Sequence, residues 1–140
     1  MKLYVYTDGA SRGNPGISAS GFAVYDANHR LVNSKVVYNG IKTNNFAEYN
    51  AMLLALQEIE SSMGYKNVIF AYSDSELLVR QLNRIYRTKD DNLKVMNARI
   101  RELASKFDGC IFRNLPRENV YISRVDRELN RFLDNIKNND

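Results

Sequence analysis

The chain has 140 residues, of which 20 are basic and 16 acidic, so its formal net charge is +4. With 44% hydrophobic residues and only 7 Gly and 2 Pro, it is neither a collagen-like or low-complexity chain nor an intrinsically disordered one. A single cysteine, Cys110, and a single histidine, His29, exclude an internal disulfide framework and a Cys/His zinc finger.

Three strands and then a long helix are predicted in the amino-terminal half. The first strand, 2–8, alternates aliphatic with aromatic side chains. A loop rich in Gly, Asn and Pro follows at 9–16. The two strands of a hairpin come next, at 19–25 and 31–38, and a helix follows at 44–63.

Helices and strands alternate in the carboxyl-terminal half. Residues 68–72 form a continuous apolar run, which predicts a strand buried on both faces. The order β-β-β-α-β-α-α-β-α predicts an α/β fold with one mixed sheet and helices on its faces. We expect one domain over residues 1–140, with a frayed tail at 135–140. The remaining elements are helices at 75–85 and 93–107, a strand at 110–115 and a helix at 123–136.

Neither a signal peptide nor an apolar run long enough to span a bilayer occurs in the sequence. A single cysteine suits a reducing compartment, so we expect a cytoplasmic protein with no membrane partner. No feature of the sequence points to a protein partner, and a monomer is expected.

Positive charge is concentrated between residues 79 and 106. This stretch carries eight basic and three acidic side chains, a local charge of +5, while the rest of the chain is at −1. A charge run of this kind is often a solvated helix face, and it is also what a surface that meets phosphates requires. Charge alone leaves both interpretations open.

Two aspartates stand at strand ends. Asp8 ends the first predicted strand, and Asp74 follows the apolar run at 68–72. Strand ends of an α/β sheet are where ligand sites collect, although a terminal Asp is also common in turns and caps.

Two more carboxylates stand on otherwise apolar helix faces. Glu48 shares a helical stripe with Met52 and Ile59, and Asp126 shares one with Leu129. Both acids are near a helix start, where the helix dipole also favours a carboxylate. The periodicity predicts that each side chain faces the sheet, and it leaves open whether the four carboxylates meet.

A cation would resolve the cost of four inward-facing acids. Burying a carboxylate is unfavourable unless it is paired or binds a metal. If the four converged, a divalent cation would offset their repulsion, and ligands that are all oxygen suit Mg²⁺ or Mn²⁺. Zinc is disfavoured because no histidine or thiolate accompanies the acids.

Four segments that contain these acids resemble the motifs of the ribonuclease H type 1 family. Residues 7–16, Thr-Asp-Gly-Ala-Ser-Arg-Gly-Asn-Pro-Gly, resemble the opening signature, and residues 43–51, Thr-Asn-Asn-Phe-Ala-Glu-Tyr-Asn-Ala, the second motif. Residues 73–76, Ser-Asp-Ser-Glu, and 125–130, Val-Asp-Arg-Glu-Leu-Asn, are similar to the third and fourth. The motifs occur in order along nearly the whole chain.

The resemblance implies a ribonuclease H-like fold, a five-stranded mixed sheet flanked by helices. It implies an endonuclease that cuts the RNA strand of RNA–DNA hybrids and leaves 5′-phosphate and 3′-hydroxyl ends. Two Mg²⁺ ions, with Mn²⁺ as a substitute, roughly 3.5–4 Å apart would clamp an in-line displacement, with Asp8 bridging them. The implied catalytic and metal ligands are Asp8, Glu48, Asp74 and Asp126.

The resemblance also implies a hybrid-binding surface. Ribose 2′-hydroxyls distinguish RNA from DNA, and the residues implied to meet them are Asn44, Asn45 and Glu76. The implied contacts to the nucleic acid backbone and to a DNA phosphate are, in chain order, Gly9, Ser11, Asn14, Lys42 and Thr43.

The chain departs from the family pattern in three places. Many members carry a histidine in the loop before the last acid, whereas residues 115–123 have none, and Arg117 is the candidate for part of its role. Because the first strand begins almost at Met1, no additional amino-terminal hybrid-binding domain is expected. The connector at 85–92 is short and lacks the basic protrusion of some members, so weak, distributive cutting is expected. Hybrid phosphates are then expected to meet Arg80, Arg84, Arg87 and Lys89.

Two alternatives remain open, a non-catalytic module that binds hybrids and a DNA nuclease or recombinase of the same superfold. The presence of all four acids disfavours the first. The residues that would read ribose hydroxyls, Asn44 and Asn45 with the loop at 9–14, disfavour the second.

Overall fold

The computed structural model describes residues 1–138 and contains the nine predicted elements in the predicted order. The strands are β1 Lys2–Gly13, β2 Gly16–Tyr25, β3 Leu31–Lys42, β4 Val68–Ser73 and β5 Gly109–Asn114. The helices are α1 Asn44–Met63, α2 Glu76–Leu82, α3 Asp91–Ala104 and α4 Val120–Asn138.

One five-stranded sheet forms the centre of the molecule, with the strand order β3-β2-β1-β4-β5. The neighbours β1, β2 and β3 are antiparallel, whereas β4 pairs in parallel with β1 and with β5. The predicted mixed sheet is confirmed, and β1 joins its antiparallel half to its parallel half.

Helices cover both faces of this sheet. On one face α1, α2 and α3 pack over Leu3, Val5 and Ile69, which are fully buried. On the other face α4 lies across β1 and β2 and buries Ile122 and Leu129 completely. Each such side chain contributes roughly 1.5–3 kcal/mol on burial, so α1 and α4 are held firmly on opposite faces of β1.

Strands β1 and β3 are longer than the sequence predicts. The prediction of a loop at 9–16 is wrong for residues 9–13, because these residues continue β1 and pair with residues 16–20 of β2. Strand β3 likewise continues to Lys42, opposite Gly16. Cross-strand pairing, more than residue type, sets these lengths.

Two other elements differ from prediction for tertiary reasons. Helix α2 ends at Leu82, because Arg84 takes a left-handed φ of 63° and Gln81 Nε2 donates to the carbonyl of Arg87 over 3.1 Å. Strand β4 was predicted to be buried on both faces, yet its Phe70 side is only half-buried. Helix α4 covers β1 and β2 rather than β4 on that face.

The last helix extends beyond its predicted bounds. Residues 135–138, predicted to fray, continue α4, which Leu133 anchors by complete burial. Residues 139–140 of the predicted tail lie outside the described residues. No helix within residues 1–138 combines the length and the apolar character that crossing a membrane requires.

Candidate active site

Two of the predicted carboxylates lie side by side where the parallel pairing of β1 and β4 stops. The parallel register of β1 and β4 ends with the pair Thr7 and Ser73. Asp8 and Asp74 are the residues that directly follow this last pair. Strand β1 itself continues and places Asp8 opposite Gly21 of β2. Asp8 is only 5% exposed, so the backbone that carries its carboxyl group is fixed within the sheet.

A close approach of α1 to β1 brings Glu48 to the same place. A Cβ at Gly9 would lie 2.3–2.5 Å from backbone atoms of Ala47 and Glu48, so this contact requires glycine. The hydroxyl of Ser20 donates to the carbonyl of Ala47 over 2.6 Å, which ties the first turns of α1 to β2.

Asp8, Glu48 and Asp74 form what we call the carboxylate cluster. One carboxylate oxygen of each lies within 4.8 Å of the others. Burial, followed by the charges of Asp74, Asp126 and Glu48, raises the pKa of Asp8 to about 9. Burial also raises the pKa of Glu48 to about 7, although a hydrogen bond with Ser75 lowers it. The cluster therefore resists full ionisation when no cation is bound.

The cluster fits a divalent cation. Oδ1 of Asp74 is buried and has no hydrogen-bond partner among the described residues. Burial raises the pKa of Asp74, while the exposed guanidinium of Arg117 lowers it. Three converging carboxylates match the oxygen donors that Mg²⁺ and Mn²⁺ prefer. A bound cation would favour the ionised acids and offset the cost of burying them.

Asp126 lies at the rim of the carboxylate cluster. It is a half-buried residue of α4 and is not one of the three acids within 4.8 Å. Its charge nevertheless raises the pKa of both Asp8 and Asp74, so it faces the same site. The structure thus brings three of the four predicted acids together and puts the fourth beside them.

Two residues to which the sequence assigns no role hold Asp126 in this position. Asn130 Nδ2 donates to Oδ1 of Asp126 over 3.1 Å and to its carbonyl over 2.9 Å. Arg12 Nη2 donates to Oδ1 of Asn130 over 3.1 Å, and Arg12 Nη1 lies 2.8 Å from Asp134. For Asn130, the signal available in the sequence was its i,i+4 spacing from Asp126.

Several predicted substrate contacts lie where the β1–β2 hairpin meets the start of α1. The backbone N–H of Ser11 donates to Oδ1 of Asn44 over 2.8 Å, and the N–H of Asn44 donates to Oδ1 of Asn14 over 3.1 Å. Thr43 is the N-cap and accepts from the N–H of Phe46, so Asn44 is a first-turn residue and not the cap. Asn14, Thr43 and Asn44 remain exposed to solvent.

Three more predicted contacts lie at or just before helix starts. Asn45 is exposed in the first turn of α1, and Lys42 is exposed at the end of β3, with its ammonium 4.8 Å from the ring centroid of Phe46. Glu76 begins α2, two residues after Asp74 in the chain, and pairs with Arg80 over 2.7 Å. In this surface ion pair Glu76 offsets the charge of Arg80, which is one of the residues predicted to meet phosphates.

The basic residues predicted to meet phosphates lie on α2 and on the segment that follows it. Arg84, Arg87 and Lys89 are exposed. Arg80 is half-buried, with its guanidinium 5.2 Å from the ring centroid of Tyr86. The positive stretch therefore presents free charge mainly beyond the end of α2.

The carboxylate cluster lies where the parallel pairing of β1 and β4 stops and is partly open to solvent, since Glu48 and Asp74 remain partly exposed. A cavity of about 700 Å³ lies between β2, β3 and α4, and none of the four predicted acids lines it. A partly open site suits a large polymeric substrate better than a small enclosed one.

The chain is similar in sequence to a known protein family and to named proteins from two organisms. The family model described as Reverse transcriptase-like matches residues 6–124. Ribonuclease HI of Halobacterium salinarum is 35% identical over 133 residues, which make up 95% of this chain and 65% of that protein. Bifunctional protein Rv2228c of Mycobacterium tuberculosis is 32% identical over 128 residues, 89% of this chain and 34% of that protein. The chain spans less than two thirds of either relative.

Solved structures share the fold. The crystal structure of RNase H1 from Halobacterium salinarum matches with a TM-score of 0.88 and 35% identity, covering 96% of this chain and 99% of that one. LC11-RNase H1, solved in complex with an RNA/DNA hybrid, matches with a TM-score of 0.85 and 31% identity, covering 92% and 94%. In sequence, in sheet topology and in its motif segments, the chain belongs to the ribonuclease H type 1 family.

Proposed function

We propose that the chain is an endoribonuclease that hydrolyses the RNA strand of RNA–DNA hybrids. The observation that carries this proposal is the carboxylate cluster. One carboxylate oxygen of each of its three acids lies within 4.8 Å of the others, and each acid belongs to a segment that resembles a ribonuclease H motif. The relative LC11-RNase H1 was solved with an RNA/DNA hybrid, which supports the same substrate for this chain.

The cofactors that we propose are two Mg²⁺ ions, with Mn²⁺ as a substitute. Asp8, Glu48 and Asp74 would hold them, and Asp126 would contribute from the rim. When bound, such ions lower the pKa of a water molecule and stabilise the charge on the attacking and leaving oxygens. The unsatisfied oxygen of Asp74 and the raised pKa values of Asp8 and Glu48 support cation binding there.

Arg117 is the cationic side chain that we place beside the scissile phosphate. It is exposed and close enough to Asp74 to lower the pKa of that carboxyl. A guanidinium there would stabilise the negative charge that develops on the phosphate, in the loop where many family members carry a histidine. The cluster itself contains only acids, so we propose water as the nucleophile and 5′-phosphate and 3′-hydroxyl ends on the products.

The exposed polar residues around the cluster would recognise the hybrid. Amide and carboxylate groups of Asn44, Asn45 and Glu76 can exchange hydrogen bonds with ribose 2′-hydroxyls, which only the RNA strand has. The hydrogen bonds between the hairpin and the start of α1 hold this surface in place. Contacts to the backbone and to a DNA phosphate would come from Gly9, Ser11, Asn14, Lys42 and Thr43.

A panel of substrates tests the proposal. Labelled hybrid, double-stranded RNA and double-stranded DNA are incubated with the chain in Mg²⁺, in Mn²⁺ or in a chelator. We expect cutting of the RNA strand of the hybrid only, in metal only. The variant Asp8→Asn should cut about a hundredfold more slowly or worse, and Asp108→Asn, which changes an exposed acid before β5, should cut normally.

Four results would contradict the proposal. Survival of the hybrid in both metals would exclude the nuclease, and hybrid binding without cutting would indicate a binding module. Cutting of duplex DNA would indicate a DNA nuclease of the same superfold. Activity that persists in chelator or in Asp8→Asn would exclude the metal-dependent mechanism.

A further inference from the structure

The first turns of α1 rest on two residues that face each other in the sheet. Gly9 of β1 lies directly opposite Ser20 of β2, and both contact Ala47. Gly9 leaves the space that the backbone of Ala47 and Glu48 occupies. Ser20 is completely buried and donates to the carbonyl of Ala47, so bulk water does not compete for this hydrogen bond. The residue next to Glu48 is therefore fixed to the sheet by a buried side chain.

Two asparagines extend this contact into a chain of hydrogen bonds. Nδ2 of Asn39, on β3, donates to Oγ of Ser20 over 2.8 Å. Nδ2 of Asn50, on α1, donates to Oδ1 of Asn39 over 3.0 Å. The chain thus begins on α1, passes through β3 and β2, and returns to α1 at the carbonyl of Ala47. We call Ser20, Asn39 and Asn50 the α1 anchor.

The hydrogen bonds of the α1 anchor all donate in one direction. A serine hydroxyl has one proton, and because Ser20 accepts from Asn39, that proton is available for the carbonyl of Ala47. Hydrogen bonds in such a chain polarise and strengthen one another. Position 39 therefore needs a side chain that both donates and accepts, as the amide of asparagine does. Without it, Ser20 and Asn50 would each lose a partner, which is costly for groups away from water.

An irregularity in β3 accompanies Asn39. Tyr38 lies opposite Ala19 of β2 and Gly40 lies opposite Ser18, so Asn39 is an extra residue without a partner on β2. Gly40 takes a φ of 78°, in the left-handed region that favours glycine. An insertion of this kind is a β-bulge, which bends a strand and is common beside functional sites. Strand β3 therefore departs from regular pairing at the residue that reaches α1.

We propose that Asn39 is a positioning residue for the carboxylate cluster. It acts through the hydroxyl of Ser20 on the first turns of α1, and through them on Glu48, which directly follows the anchored Ala47. Groups that hold a ligand in place commonly affect metal affinity as strongly as many direct contacts do. The part of this proposal that concerns metal binding rests on the proposed function.

Glu48 is the member of the cluster that needs such an anchor. Asp8 is part of β1 and Asp74 directly follows β4, so pairing within the sheet fixes the backbone of both. Glu48 is on a helix, and its carboxylate oxygen lies within 4.8 Å of theirs. A small movement of the start of α1 over the sheet would change these distances. The attachment of α1 to the sheet therefore determines whether the three acids converge.

Strand β3 also supplies a matched control. Asn33 is half-buried like Asn39, and its Nδ2 donates to Oε1 of Glu58 over 2.5 Å. Glu58 is in the last third of α1, so this contact joins the same strand to the same helix far from Glu48. Asn33→Ala should weaken the attachment of α1 without disturbing the carboxylate cluster.

The first experiment measures hydrogen exchange of the α1 amides in chelator. Amides 48–51, at the start of α1, are compared with amides 58–62 of the same helix, so that a global loss of stability cancels. In Asn39→Ala the first group should exchange at least about fivefold faster relative to the second, as expected for one lost hydrogen bond. Asn33→Ala should show no such bias. Ser20→Ala removes one buried oxygen and should give the same bias if Asn39→Ala does not fold.

The second experiment measures Mn²⁺ affinity by calorimetric titration. Asn39→Ala should bind Mn²⁺ about fivefold more weakly than the wild type, and Asn33→Ala should bind it equally well. The same change is then made in Glu48→Gln. Because Asn39 acts through Glu48, Asn39→Ala should cause no further loss of affinity in that background.

The outcomes separate this proposal from the proposed function, because neither measurement involves cleavage. An exchange bias at the start of α1, with a loss of affinity that disappears in Glu48→Gln, supports the proposal. Equal exchange at both ends of α1, unchanged Mn²⁺ affinity in Asn39→Ala, or an equal loss in Glu48→Gln overturns it. A wild type that binds no Mn²⁺ contradicts the proposed cofactors, and the exchange bias in chelator then decides by itself whether Asn39 positions α1.

Discussion

Asp8 shows most clearly how burial affects a single residue of the site. Its pKa is raised from 3.8 to about 9, mainly by burial and then by Asp74, Asp126 and Glu48. The unfolded chain ionises this group near pH 4, whereas the folded chain without metal keeps it protonated until about pH 9. Unfolding therefore releases a proton between these values, and the stability that Asp8 contributes below pH 4 is lost as the pH rises through this window.

We predict that Asp8→Asn is more stable than the wild type in chelator, and that its advantage grows from about pH 5 to about pH 8. The amide cannot ionise, so it escapes a cost of about 1.4 kcal/mol for each unit of pKa shift. Urea unfolding at both pH values measures the difference. Asp108→Asn, which changes an exposed acid, is the control. A gain for Asp8→Asn that does not change with pH would show that the raised pKa of Asp8 is not its cause.

Asn130 acts on the site through Asp126. Its amide holds the Asp126 carboxylate over 3.1 Å and is itself held by Arg12. We predict that Asn130→Ala raises the Mg²⁺ concentration for half-maximal cutting about tenfold, because partners of metal ligands orient them. The KM for the hybrid should change little, and calorimetric titration with Mn²⁺ gives a measure that is independent of activity.

The neighbouring residue provides the control for this prediction. Arg131 is exposed on the same helix and pairs with Glu128 over 3.4 Å. Arg131→Ala should bind Mn²⁺ as the wild type does. Equal metal affinity in Asn130→Ala and the wild type would show that Asp126 does not depend on this contact.

The packing of α1 on β1 leaves no room for a side chain at Gly9. A Cβ at Gly9 would lie 2.3 Å from the carbonyl carbon of Ala47, so the helix would have to move and carry Glu48 with it. We predict that Gly9→Ala costs about 3 kcal/mol of stability and weakens metal binding. Urea unfolding and Mn²⁺ titration measure the two effects.

A second glycine serves as the control for this change. A Cβ at Gly109 would be 3.5 Å from Val68, an ordinary contact, so Gly109→Ala should shift stability by less than about 1 kcal/mol. Similar stability in the two variants would mean that α1 can shift without cost.

Local signals explain which elements the sequence predicts well. Helix α1 is predicted at 44–63 and found at Asn44–Met63, because Thr43 caps its start and Gly64, with φ 77°, ends it. The extensions of β1 and β3 depend on pairing with β2, and the early end of α2 depends on the contact of Gln81 with the connector. Neither interaction leaves a pattern in the neighbouring sequence.

The same distinction applies to the candidate site. Strand ends and a helical stripe were enough to single out Asp8, Asp74 and Glu48, which converge. The position of Asp126 depends on the bond between Arg12 and Asn130, which are 118 residues apart and on different elements. No local pattern of residues shows such a contact.

Over the whole molecule, the net charge of +4 separates into two regions. Residues 79–106 carry +5, and the remainder, which contains the carboxylate cluster and Asp126, is at −1. A polyanion would therefore be attracted to the α2–α3 side, while the proposed cations would offset the negative charge of the acidic site as a phosphate approaches. Binding and cutting would thus depend on different parts of the surface.

We predict that this chain cuts distributively. Its connector of residues 83–90 is short and lacks the basic protrusion of some family members, so fewer cations would hold the hybrid between cuts than in those members. In a time course with an excess of unlabelled hybrid as a trap, RNA fragments of intermediate length should accumulate before the end products. End products that appear while most of the substrate is intact would contradict this prediction.

The proposed attack by water at the carboxylate cluster would leave a chemical signature on the RNA. The most direct measurement is end-group analysis of the fragments that form from a hybrid in Mg²⁺, for the wild type, Asp8→Asn and Glu48→Gln. We predict 3′-hydroxyl and 5′-phosphate ends from the wild type and almost no fragments from either variant. Cyclic 2′,3′-phosphate ends, or undiminished hydroxyl ends from the variants, would contradict hydrolysis at this cluster.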